Sequence, residues 1–143
     1  MSANRMRLEL ASRAENVGVA RVAVAAFAGP LGFTLAELEE IKVAVSEAVS
    51  NAVLHGYPEG EGTVRIEAEA AEGALELVVE DQGRGIEDVA QARRPAFSTD
   101  PARMGLGFVF MESFSDSLEV SSSPGRGTRV RMRKRPAGAP QAK

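Results

Sequence analysis

The chain has 143 residues, 44% of them hydrophobic and 26% charged, enough for one α/β domain with a real core and too few for two. Its formal net charge is -3, and Lys and Arg are dispersed among Asp and Glu, which excludes a basic footprint for direct nucleic-acid binding. There is no cysteine, so disulfides and thiolate metal sites are excluded, and no apolar run approaches a signal peptide or the roughly 20 residues of a membrane span. The expected location is therefore the cytoplasm, with no membrane contact.

Met6, Leu8 and Leu10 alternate with charged residues, predicting a first strand. Ser12 and Glu15 have capping-box spacing, and Val19, Val22, Ala23, Ala26 and Phe27 follow at helical spacing until Gly29 and Pro30. Thr34 and Glu37 form a second capping box ahead of the stripe Leu38, Ile41, Val45, Ala48, Val49 and Ala52, so a long helix is expected to about Leu54, closed by Gly56. Val64, Ile66 and Ala68, then Leu75 to Val79, predict a hairpin turning near Glu72 and Gly73. The stretch from Gln82 to about Met104 has no sustained period and reads as a loop or lid. Beyond it, Gly105 to Phe114 is expected to be helical, with strands at Leu118 to Ser122 and Thr128 to Arg133 around a turn at Pro124 to Gly127. These elements make a single domain over 1–135, followed by a tail, 136–143, expected to be disordered.

Glu47, Asn51 and His55 lie four residues apart on the long helix and share one flank. A carboxylate and a carboxamide one turn apart suit Mg²⁺ work, in which hard oxygens bind the ion and a free carboxylate accepts a proton. A solvated helix face would show the same spacing, and His55 could equally serve the helix C-terminus as a cation. Asp81 ends a strand, with Gly83 and Gly85 directly beyond it, so the backbone there can approach a ligand such as adenine, although Asp and Gly also make ordinary turns. Gly105 and Gly107 open an apolar helix whose unpaired amides could face phosphate. No complete dinucleotide fingerprint and no Walker loop is present.

In combination, SEAVSNAVLHGY (Ser46 to Tyr57), DQGRGI (Asp81 to Ile86), RMGLGF (Arg103 to Phe108) and the pair Gly127 and Thr128 resemble the N box and the glycine boxes of the GHKL ATPase superfamily. Together with RAEN (Arg13 to Asn16), ARVAVAAF (Ala20 to Phe27), ARRPAFST (Ala92 to Thr99) and MESFSD (Met111 to Asp116), the chain resembles the SpoIIAB family of sporulation anti-sigma F factors over nearly its whole length. The resemblance implies an α+β two-layer sandwich: the GHKL (Bergerat) ATP-binding fold, with a mixed β-sheet and helices packed on one face. It implies ATP or ADP with Mg²⁺ as cofactors, a homodimer, capture of sporulation sigma factor F, and phosphorylation of a serine on an anti-anti-sigma factor.

Carried over by motif, Glu47 is the expected general base, Asn51 the Mg²⁺ ligand and Asp81 the reader of adenine, supported by Thr128. Gly83 and Gly85 would let the loop pass the base, and Gly105 and Gly107 would offer amides to phosphate. Arg103, just before the second glycine box, could stabilise charge on the transferred phosphoryl group, and a solvated lid arginine would look the same. Arg21 matches a family arginine of the partner surface, and packing beside an apolar stripe would also explain it. The segment between Thr99 and Gly105 is slightly shorter than the family pattern. The alternative function is an anti-sigma module that binds nucleotide without transferring phosphate. A sensor kinase is disfavoured because the only histidine, His55, sits inside the N box.

Overall fold

Alternating apolar residues set the strands, and their partners set the register. The computed structural model describes residues 3–56, 61–83 and 102–137, without the side chains of 55–56 and 102–106. In chain order the elements are β1 (Asn4–Ala11), α1 (Glu15–Ala28), α2 (Leu35–Asn51), β2 (Thr63–Ala71), β3 (Ala74–Asp81), α3 (Ala102–Phe114), β4 (Ser117–Ser122) and β5 (Thr128–Lys134). The five strands form one sheet in the order β1-β2-β3-β5-β4, and every paired neighbour is antiparallel. The β2–β3 hairpin turns where predicted, on Glu72 at φ 54° and Gly73 at φ 75°.

Period-2 alternation divides the sheet into two faces. Val64, Ile66, Ala68, Leu75, Leu77, Val79, Val130 and Met132 are buried against Ile41, Val45, Ala48 and Val49 of α2 and Phe108 and Met111 of α3, in one core. The other face carries Arg and Glu in cross-strand pairs, among them Arg5–Glu69 at 3.0 Å, Arg65–Glu9 at 3.3 Å and Arg131–Glu76 at 2.7 Å. Such exposed pairs are worth about 0–1 kcal/mol each. They keep this face wetted and leave the helical face to form the core. This is the expected two-layer sandwich with helices on one side of the sheet, and among the described residues the sheet is antiparallel throughout where the resemblance implies a mixed one.

Five local expectations need correction. Ser12 and Glu15 make no capping box: Ala14 occupies the cap position without a side-chain bond. Ser12 is instead buried, its Oγ accepting the Gly62 amide at 2.8 Å while its own amide donates to the Gly62 carbonyl. On α1 the buried residues are Ala20, Val24 and Ala28, whereas Val19 and Val22 are exposed, because a helix apolar nearly all round does not declare which side faces the core. Helix α2 keeps its α form only to Asn51 and continues as a π-helical turn over Ala52–Gly56. Helix α3 begins at Ala102, three residues before the expected start, just after Pro101, a residue suited to a helix entrance. Order also continues past the expected start of the tail, since Pro136 is buried and Ala137 is hydrogen-bonded to Glu37; residues 138–143 lie outside the described residues.

Candidate functional site

Helix α2 begins as its sequence dictates. Thr34 Oγ1 accepts the Glu37 amide at 3.1 Å, and Glu37 Oε1 accepts the Thr34 amide at 2.8 Å. Its apolar stripe docks on the sheet, which turns the flank bearing Glu47 and Asn51 toward α3. There the two helices approach closely: a Cβ placed on Gly107 would lie 3.1 Å from Glu47 Oε2 and 3.2 Å from Asn51 Nδ2. Gly107 sits one turn inside α3, beyond the first four amides that lack a helical partner, so its missing side chain is what faces α2. Gly105 lies in that first turn.

Asn51 Nδ2 is buried and has no hydrogen-bond partner among the described residues. Leaving such a group unpaired costs about 1–3 kcal/mol. A half-turn of the carboxamide exchanges its nitrogen for its oxygen, so the position can present an acceptor equally well. Among the described residues no three His, Asp or Glu side chains gather into a metal cluster. A cation bound beside Glu47 and Asn51 would therefore take most of its ligands from water or phosphate, which is the habit of Mg²⁺. The donor set fits that ion.

A second group forms at the end of β3. Asp81 is 5% exposed, faces the helical side of the sheet, and pairs in register with Thr128 of β5 and Val64 of β2. Its Oδ1 accepts the Gly83 amide at 2.8 Å. Burial pushes the Asp81 carboxyl above its ordinary value, against the opposing pull of the Gly83 and Thr128 amides. Thr128 Oγ1 shares a 2.8 Å hydrogen bond with Ser122 Oγ, which also donates to the Gly127 carbonyl at 2.9 Å. Gly127, at φ 84°, presses directly on the Asp81–Gln82 backbone. β3, whose last residue is Asp81, also touches the π turn that follows Asn51.

Arg21 is exposed on α1 and donates from Nη1 to Ser46 Oγ at 3.4 Å, next in sequence to Glu47. Gly85 lies outside the described residues, as do the side chains of Arg103 and His55. One contributor, Ser122, and one contact, that of Gly127 with Asp81, escaped sequence reasoning. Ser122 stands in a run of three serines with no distinguishing period. The pressure of Gly127 on Asp81 looks from sequence like an ordinary hairpin glycine.

Residues 10–134 match the family described as Histidine kinase-like ATPase domain. The anti-sigma F factor of Clostridium novyi (strain NT) is 46% identical over 138 residues, spanning 94% of this chain and 96% of that protein. The chain belongs to the anti-sigma F factor family. The anti-sigma F factor of Clostridium perfringens (strain SM101 / Type A) is 48% identical over 135 residues, spanning 92% of this chain and 96% of its own. Among solved structures, the RsbU and RsbW domains of Rv1364c from Mycobacterium tuberculosis superpose with a TM-score of 0.64 at 21% identity, covering 92% of this chain and 32% of that one. A histidine kinase domain from Erythrobacter litoralis, part of the EL346 blue-light activated kinase, gives 0.55 at 22% identity, with 84% and 59% covered. These two share the fold. The anti-sigma F relatives align over more than nine-tenths of this chain and of their own length. No helix among the described residues is long and apolar enough to cross a membrane.

Proposed function

We propose that the chain is an ATP-dependent protein serine/threonine kinase that also acts as an anti-sigma factor. It binds sporulation sigma factor F in the cytoplasm, works as a homodimer, and phosphorylates a serine on an anti-anti-sigma factor. The observation that carries this reading is the seat of α3 on Glu47 and Asn51, which sets a carboxylate beside a carboxamide whose buried nitrogen has no partner among the described residues. Relatives named anti-sigma F factor supply the partner class.

In this reading Glu47 takes the proton from the substrate serine, and Asn51 holds Mg²⁺, whose charge would offset that of the phosphates. The Asp81 carboxylate accepts the exocyclic amine of adenine, with Thr128 holding the strand end beneath it. Gly83 and Gly85 let the loop pass the base, and Gly105 and Gly107 line the phosphate end. Arg103 steadies the transferred phosphoryl group, and Arg21 meets the partner protein. Incubation of the purified chain with labelled ATP, Mg²⁺ and the anti-anti-sigma protein should label a serine. An unlabelled substrate despite nucleotide binding would leave only the non-catalytic module.

Asp81→Asn separates adenine recognition from stability. Loss of a hydrogen bond to a charged acceptor is expected to weaken ATP binding by about tenfold to a hundredfold, measured calorimetrically. The melting temperature should not fall, because the fold no longer desolvates a carboxylate. The sign follows from linkage. A carboxyl whose folded-state value is raised binds its proton more tightly in the folded chain, so its contribution to stability declines as pH rises from the unfolded value of 3.8 through the raised one. Asp81→Asn should lack that decline in urea titrations run across the acid range.

Gly107→Ala tests the helix contact. Alanine gains about 1 kcal/mol of helix propensity over glycine, while its Cβ crowds only the mobile ends of Glu47 and Asn51. Near-unchanged thermal stability is expected, together with loss of phosphotransfer. A variant as active as the unaltered chain would remove the contact from the mechanism.

A further inference from the structure

Glu37 does more than cap a helix. A capping box needs one side-chain oxygen at this position, and glutamine serves as well as glutamate. Here Oε1 accepts the Thr34 amide, and Oε2 accepts the amide of Ala137 at 2.8 Å, one hundred positions along the chain. Only a carboxylate offers acceptors on both sides. Glu37 is 8% exposed, and charged groups are seldom buried so deeply without partners.

The segment that reaches it is held at further points. The Arg135 amide donates to Asp116 Oδ2 at 2.7 Å, beside the α3–β4 junction. Arg135 Nη1 donates to the Glu72 carbonyl at 3.1 Å, in the β2–β3 turn. Pro136 is buried between these contacts and Ala137. Three residues past the last strand thus join a strand turn, the end of α3 and the start of α2. The hydrogen bonds donated by the Thr34 and Ala137 amides, with the nearby Lys134 charge, hold the Glu37 carboxyl below its ordinary value in spite of burial. The group therefore stays ionised and keeps both acceptors.

We infer that residues 135–137 form a strap whose Ala137–Glu37 contact fixes the start of α2, making Glu37 a positioning residue for Glu47 and Asn51 further along the same helix. Ten residues of helix span about 15 Å, and a rigid rod transmits a displacement of one end to the other. The positioning role rests on the nucleotide reading above, whereas the strap does not.

The test uses the full chain with Glu37→Gln, Ala137→Pro and both together. Glutamine keeps the capping box but turns an amide donor toward the Ala137 N–H, and proline removes that N–H while leaving Glu37 intact. Each single variant should raise amide exchange in the first turn of α2 several-fold. Each should also weaken Mg·ATP binding by about threefold to tenfold at a temperature where every variant is fully folded. The double variant should resemble the singles, since both break one contact. Effects that multiply in the double, or faster exchange confined to residues 136–137 with unaltered ATP affinity, would overturn the inference. Absence of Mg·ATP binding by the unaltered chain would sink the proposed function and the positioning role together, and the exchange measurements would then decide the strap alone.

Discussion

Glu47→Gln is expected to lower phosphotransfer to the protein substrate by about 10²–10⁴-fold, the usual contribution of a positioned general base. Nucleotide affinity should stay close to that of the unaltered chain. Glutamine has nearly the same shape, so the close packing against Gly107 survives while the proton acceptor is lost. Single-turnover labelling with ATP and Mg²⁺ reads the first effect, and calorimetry reads the second. Full turnover in Glu47→Gln would move the base elsewhere and leave Glu47 as a packing residue beneath α3. Equal loss of binding and turnover would mean that Glu47 builds the nucleotide pocket instead of carrying the proton.

Gly127→Ala is expected to cost about 3 kcal/mol or more of folding stability, from two separate causes. Gly127 sits at φ 84°, where a side chain costs about 1–3 kcal/mol. Its Cβ would overlap the Asp81 carbonyl oxygen and come within 2.8 Å of Gln82 Cα, and backbone cannot give way as a flexible side chain does. For a domain whose total stability is of order 5–15 kcal/mol, the melting temperature should fall by about 10 °C. Asp81 should move with the displaced strand end, so ATP affinity should drop even in the fraction that remains folded. A thermal melt with less than about 3 °C of change would show that the β3–β5 contact is looser than its geometry implies.

Most of the architecture was legible locally. The Thr34–Glu37 capping box and the Ile41-Val45-Ala48-Val49 stripe specify the start and buried face of α2, because both depend on residues within two turns of each other. The β2–β3 hairpin was legible for the same reason: strict alternation on both strands, with a turn that tolerates positive φ. Helix α1 was misread because alanine and valine on nearly every side remove the contrast on which periodicity depends. The Ser12 error has a different origin. Its hydroxyl had two possible amides to serve, and the nonlocal one at Gly62 won because it also closes the gap between β1 and β2.

The site divides along the same line. Helical spacing alone puts Glu47 and Asn51 on one flank of α2, and the strand pattern alone puts Asp81 at a strand end. Only the tertiary structure reveals that Gly107 lacks a side chain because α3 rests on those two residues, that Gly127 abuts the Asp81 backbone, and that Ala137 closes the second face of Glu37. The physical reason is range. Propensity, capping and amphipathic period act between near neighbours and are written in consecutive residues, whereas steric contact and amide pairing between distant segments exist only once the core has packed them together.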